Sequence, residues 1–125
     1  MREIKFKAYD IVKRKMYTDL QGFKCTNDNP YAIFLYLSDG TSELTVFDHI
    51  KLMQYIGLRD KNSQRIYEGD IMYVAGIGNM IVVFRNGSFA LDNKTTILYF
   101  HEDMEKDIEN VVGNIYENPE LLKKV

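Results

Sequence analysis

Apolar and polar positions alternate through most of this chain with a period of two, the mark of half-buried β-strands. In "EIKFKAYD", Ile4, Phe6 and Ala8 point one way and Glu3, Lys5 and Lys7 the other. "VKRK" then turns the chain back into "MYT", and "TNDNP" before Tyr31 is a cluster of turn formers. "YAIFLYLS" and "SELTVFD" flank Asp39-Gly40, a dipeptide that favours a two-residue type I′ turn. That turn predicts Leu35 opposite Leu44 and Ile33 opposite Val46 on one face, with Phe34 opposite Thr45 and Tyr36 opposite Glu43 on the other. Around Asn86-Gly87 the same logic pairs Phe84 with Phe89 and Val82 with Leu91. "TTILYF" is apolar on both faces and reads as an inner strand. "NVVGNIYE" is another strand, with Gly113 at a bulge or a close approach of backbone.

Helical signals are few. "HEDMEKDIEN" sets Met104 and Ile108 four apart, and Glu102 and Lys106 likewise, enough for one or two turns. "NPELLKK" offers Asn118 as N-cap, Pro119 at the first helical position and lysines at the end. The expected fold class is therefore mainly β, α+β at most, with short helices near the C-terminus. There is no internal repeat or Pro-rich linker.

The densest stretch is "QYIGLRDKNSQRIYEGDIM", from Gln54 to Met72. "LMQYIGL" and "IMYV" read as strands, and "RDKNSQ" between them as a charged loop in which Asn62 tolerates a left-handed backbone. Gly69 permits a positive φ, and Asp70 can accept nearby backbone N–H groups. A Gly-Asp step entering an apolar strand is common at the sharp corners of small barrels. The competing reading is catalytic: Glu68 and Asp70, two apart, would share a strand face as paired carboxylates for acid–base chemistry. Such a pair needs a cleft and a raised pKa on one member, whereas the corner reading explains every residue type present.

Composition narrows the function classes. The 125 residues suffice for one compact domain or two small lobes, and 46% apolar residues exclude wholesale disorder. A net charge of −2 argues against nucleic-acid binding through bulk basicity. The single Cys25 excludes an intrachain disulfide and a multi-cysteine metal site. "MREIKFKAYD" lacks the apolar segment of a signal peptide, and no apolar run reaches the roughly 20 residues that span a bilayer. A cytoplasmic protein is expected. His49 and His101 lack metal-ligand spacing, Cys25 has no neighbouring His, and "AGIGNMI" lacks the third glycine of a dinucleotide loop. No catalytic residue, metal or cofactor is expected, and the protein is read as a non-enzyme.

Charge is nonetheless uneven. Arg2, Lys5, Lys7, Lys13, Arg14 and Lys15 fall in the first hairpin, while Glu102, Asp103, Glu105, Asp107 and Glu109 cluster late in the chain. The basic hairpin can touch phosphates, with Tyr9 and Tyr17 stacking on bases, or meet the acidic segment of a second subunit. An ordinary solvated strand face explains it as well. Phe34 and Tyr36 add an aromatic face suited to a partner, so a homo-oligomer is expected.

Three stretches, "MREIKFKAYD…KRKMY", "LMQYIGLRDKNSQRIYEGDI" and "VVGNIYENPELL", occur in an order that resembles the YopX family of bacteriophage and prophage proteins. Tyr9 stands where a Trp is usual, Ile56 where Thr is frequent, and Ser63 where Gly commonly follows Asn62. The resemblance implies a β-rich N-terminal subdomain, residues 1–50, followed by a small SH3-like barrel, residues 51–125. It brings no activity and no catalytic residues, and the motif residues enter as fold determinants. The favoured function is a non-enzymatic binding or accessory module acting through protein contacts or self-assembly. The alternative is a nucleic-acid-associated phage protein using the basic hairpin. An enzyme built on Glu68, Asp70 and a histidine is the outsider.

Overall fold

The structure is a computed structural model that describes residues 3–25, 31–100 and 110–122. It is mainly β, and its strands are β1 Phe6–Asp10, β2 Lys15–Cys25, β3 Ala32–Leu37, β4 Ser42–Val46, β5 Ile50–Arg59 and β6 Arg65–Tyr67. There follow β7 Asp70–Val74, β8 Gly78–Arg85, β9 Ser88–Asp92, β10 Ile97–Tyr99 and β11 Val111–Asn114. Single 3-10 turns occur at Phe47–His49 and Pro119–Leu122. The chain divides into two compact units, Glu3–Gln54 and Tyr55–Val125, with the boundary inside β5. No helix among the described residues is long and apolar enough to cross a membrane.

The first unit is one antiparallel sheet in the order β4-β3-β2-β1-β5. Ala8, Tyr17, Ile33, Leu35 and Ile50 form its core. Strict alternation in β1 ends at its C-terminal half, where Ala8, Tyr9 and Asp10 are all buried, and Ile4 before the strand is exposed. Asp10 accepts the Val12 and Lys13 N–H groups, both at 2.9 Å, and so shapes the turn that leads into β2.

The hairpin β3–β4 departs from expectation by one residue. Leu35 lies opposite Glu43 and Phe34 opposite Leu44, not Leu35 opposite Leu44. Leu37 N–H bonds Thr41 O at 2.9 Å, so the loop holds Ser38, Asp39 and Gly40, with Gly40 at φ 88°. This is the three-residue loop with glycine in the left-handed position. Asp39 Oδ1 accepts the Thr41 N–H at 2.9 Å and hydroxyl at 2.6 Å, which secures the longer loop. Because a strand's faces alternate, the slip exchanges them. Thr45 and Glu43 join Ile33 and Leu35 inside, and Leu44 and Val46 join Phe34 and Tyr36 outside.

In the second unit β10, β9, β8, β7 and β11 form an antiparallel sheet in that order, and the latter half of β5 pairs with β6. Its core is Ile56, Ile66, Met72, Met80, Val82 and Leu91. The β8–β9 hairpin has the expected register, Phe84 opposite Phe89 and Val82 opposite Leu91, with Asn86 and Gly87 both at positive φ. Among the described residues no ladder joins β10 to β11, so the sheet is not closed into the small SH3-like barrel that was expected. β10 is an edge strand, not an inner one, and leaves Ile97 and Tyr99 partly exposed.

The register shifts between Val111 and Gly113, and a Cβ on Gly113 would lie 2.6 Å from Asn118 Oδ1, so this glycine marks both a bulge and a close approach. The expected C-terminal helix is one 3-10 turn. Asn118 caps it through its carbonyl, which accepts the Leu121 N–H, while its side chain accepts the Asn114 N–H. The segment expected to carry Met104 and Ile108 on a helix lies outside the described residues.

Candidate partner-binding surface

The outer face of β3–β4 is apolar. Phe34 and Tyr36 stack with ring centroids 6.5 Å apart and planes 21° from parallel. Leu44 stands directly opposite Phe34, and Val46 opposite Ala32. Leu44 is 57% exposed, Val46 42% and Tyr36 41%, so the described residues leave the face open to solvent. Phe34 and Tyr36 were expected here. Leu44 and Val46 were not, since the expected register placed them in the core. Their signal was local: Thr41, two residues after Asp39, offers the carboxylate both an N–H and a hydroxyl.

The inner face absorbs the polar residues moved by the same slip. Glu43 accepts the Tyr17 hydroxyl and the Lys13 ammonium, each at 3.3 Å, and Thr45 donates to Asp10 Oδ2 at 3.2 Å. Burial, then the Glu43 charge, push the Tyr17 phenol up, so it stays protonated. Burial raises the Asp10 pKa, but the Lys13 and Val12 N–H groups, the Thr45 hydroxyl and the Lys13 charge outweigh it. Asp10 is thereby held below the ordinary value of 3.8.

The basic residues do not form one free patch. Lys13 is paired with Glu43, Lys5 lies 4.0 Å from Glu3, and the Lys15 ammonium sits 4.9 Å over the Tyr17 ring. Arg14 is exposed in the turn at φ 55°. Lys7 is half-buried, and Arg2 lies outside the described residues with the acidic segment at 102–109. Tyr9 and Tyr17, expected to stack on bases, are buried at 7% and 4% exposure and present no ring to a ligand. A cavity of about 300 Å³ beside the bulge in β2 is lined by Lys5, Phe6, Thr18, Leu20, Gly22 and Ser38, among others. Cys25 is exposed at the end of β2. Among the described residues no three His, Cys, Asp or Glu side chains gather as metal ligands would.

The charged stretch at 54–72 is built as a corner. Asp60 is buried, and its Oδ1 accepts the Asn62 and Gln64 N–H groups, both at 2.9 Å. Its Oδ2 accepts the Val111 N–H at 3.0 Å, tying the loop to β11. Ser63, not Asn62, takes the left-handed backbone at φ 64°. Asp70 is 1% exposed and its Oδ2 accepts the Tyr67 N–H at 2.8 Å. Gly69, at φ 90°, donates to Val82 O and accepts from Ile115 N. Glu68 lies in the turn before β7, so the alternation that would align two carboxylates on one strand face does not apply. Burial raises the Glu68 pKa, and its charge adds to burial in raising that of Tyr116. Asn114 Oδ1 accepts the Tyr116 and Glu117 N–H groups, so "VVGNIYENP" is a second corner.

These two corners fall in two of the three diagnostic stretches of sequence, and a family model described as YopX protein matches residues 5–123. The chain belongs to the YopX family. Among solved structures, protein EF1440 from Enterococcus faecalis is similar at 28% identity and a TM-score of 0.66, over 98% of this chain and 100% of that one. Protein yopX from Bacillus subtilis is similar at 18% identity and a TM-score of 0.62, over 100% of this chain and 99% of that one, a likeness of fold alone. No curated protein matches.

Proposed function

We propose that this YopX-family protein is a non-enzymatic binding or accessory module of phage or prophage origin, acting in the host cytoplasm through protein contacts or self-assembly. The observation that carries this reading is the apolar outer face of β3–β4, where Tyr36, Leu44 and Val46 stand exposed together. Contiguous apolar surface of this kind marks contact sites. The second unit is read as an SH3-like barrel left open along one side. Its antiparallel β7–β8–β9 meander and the Gly69 corner support that description.

The nucleic-acid alternative has less support, because Lys13, Lys15 and Lys5 already have partners in the chain and the candidate stacking rings are buried. The enzyme reading is weaker still, since buried Asp70 is spent on holding a turn. Light scattering over a dilution series from millimolar to micromolar protein tests the proposal. A mass that is a multiple of 14.6 kDa and falls on Leu44→Asp, with the β-rich circular dichroism retained, is expected. A mass of 14.6 kDa at every concentration overturns the self-assembly.

A further inference from the structure

The same hairpin carries a second feature, distinct from its apolar face. Leu37 N–H bonds Thr41 O, and Phe47 N–H bonds Tyr31 O at 2.7 Å. Hydrogen-bonded and non-bonded pairs alternate in an antiparallel ladder. Leu35 with Glu43 and Ile33 with Thr45 are therefore the bonded pairs of this register. It follows that the N–H and C=O groups of Ser42, Leu44 and Val46 point away from β3. β4 ends the sheet, so among the described residues these groups have no strand beside them.

Edge strands are ordinarily blunted by lysine, proline, a bulge or a buried charge. "SELTV" has no lysine or proline, and its pairing with β3 runs without a register shift. Its one charge, Glu43, is already compensated by Lys13 and Tyr17 on the inner side. The edge is unbulged, carries Leu44 and Val46 on its outer face, and is unpaired among the described residues.

We infer that β4 pairs antiparallel with β4 of a second copy about a two-fold axis at Leu44, joining two five-stranded sheets into one. This rests on the self-assembly proposed above and names its geometry. The strand is self-complementary in this register alone among those that use all three free positions. Ser42 meets Val46 of the second copy, Leu44 meets Leu44, and about six backbone hydrogen bonds form. Glu43 falls opposite Thr45 of the second copy, so no like charges meet. The axis is perpendicular to the sheet, which leaves both Phe34–Tyr36 faces on the same side as one continuous surface for a protein partner.

Site-specific cross-linking in a Cys25→Ser background tests this in the full chain. In a bonded antiparallel pair, opposed Cα atoms lie about 5.5 Å apart, within the roughly 4.4–6.8 Å that a disulfide spans. Oxidised Leu44→Cys is expected to run as a covalent dimer, and Glu43→Cys, which faces Thr45, is expected to remain a single chain. Leu44→Pro removes an outward N–H that β3 does not use, a change edge strands tolerate, and is expected to abolish the dimer with circular dichroism unchanged. An oligomer that persists in folded Leu44→Pro, or that cross-links at Ser42→Cys or Val46→Cys in place of Leu44→Cys, overturns the pairing while the wider reading stands. A wild-type chain that is monomeric throughout overturns both.

Discussion

Thr45 on β4 donates its hydroxyl to the Asp10 carboxylate on β1 across 3.2 Å, although β3 and β2 lie between their strands. In a flat sheet those strands would be about 14 Å apart, three steps of about 4.8 Å each. The first sheet therefore curls until its edge strand meets its fourth strand, and the inner residues Ile33 and Leu35 are 0% exposed as a result. Tyr17 reaching Glu43 across β3 is the same closure one strand nearer.

Asp10 should set the acid limit of the first unit. Its folded-state pKa is below 3.8 because the N–H groups of Lys13 and Val12, the Thr45 hydroxyl and the Lys13 charge overcome the upward push of burial. A depressed carboxyl contributes stability that is present above the unfolded pKa and is lost as pH falls through the folded one. Wild-type protein should lose stability steeply below about pH 4, near the unperturbed Asp value. Asp10→Asn should cost about 1–3 kcal/mol at pH 7, the typical penalty for leaving buried donors short of a partner, with a shallower acid slope. Urea titrations from pH 2 to 7 check this, and an unchanged slope refutes it.

Gly113 and Asn118 should show coupling in a double-mutant cycle. A Cβ at Gly113 meets Asn118 Oδ1 at 2.6 Å, and that oxygen is held by the Asn114 N–H, so it cannot withdraw freely. Gly113→Ala should destabilise by about 1–3 kcal/mol, as overpacking does. In an Asn118→Gly background, which removes the Asn118 Cβ at 2.9 Å as well as the amide, the same change should cost markedly less. Additive losses in denaturant unfolding would show that the crowding lies elsewhere.

The two hairpins show what the sequence makes legible. Asn86-Gly87 puts both residues at positive φ, 54° and 80°, as a type I′ turn requires, and the register of β8–β9 follows. At Asp39-Gly40 only the glycine turns over, because Asp39 binds Thr41 and the loop recruits Ser38. Hydrophobic patterning had no means to catch the slip. Both faces of β3 are apolar, Ile33 and Leu35 on one and Phe34 and Tyr36 on the other, so either register buries a credible core. The Asp60 bond to Val111 spans 51 residues and has no local signature. Gly69, Gly113 and the turn role of Asp70 were readable because glycine conformation and Asx hydrogen bonding are local properties.

Ser63→Gly should stabilise the second unit. Ser63 holds φ 64° while its N–H donates to Asp60 O and its carbonyl accepts the Arg59 guanidinium. The left-handed conformation costs a non-glycine residue roughly 1–2 kcal/mol, partly offset by the greater freedom glycine gains when unfolded. The net gain should be about 0.5–1 kcal/mol, read as a higher urea midpoint at constant slope. A loss of stability would mean that the serine side chain supplies a contact worth more than the strain.

Glu68 should oppose Asp10 in the pH profile. The turn that carries it is fixed from both sides, by Gly69 N–H on Val82 O and by Ile115 N–H on Gly69 O, and its carboxylate is half-buried. Burial raises its pKa above 4.5. A raised carboxyl pKa means the fold prefers the protonated form. Its contribution is complete below the unfolded pKa and is lost as pH rises through the folded value. Glu68→Gln keeps a neutral side chain of the same shape at every pH. The variant should match wild type near pH 4 and gain on it as pH rises toward 7, then hold a constant advantage. The Tyr116 phenol, pushed up by its own burial and then by the Glu68 charge, should titrate closer to 10.0 in the variant. Thermal unfolding at half-unit pH steps decides the matter. A difference between variant and wild type that stays flat from pH 4 to 7 would show that Glu68 is fully solvated in the folded protein.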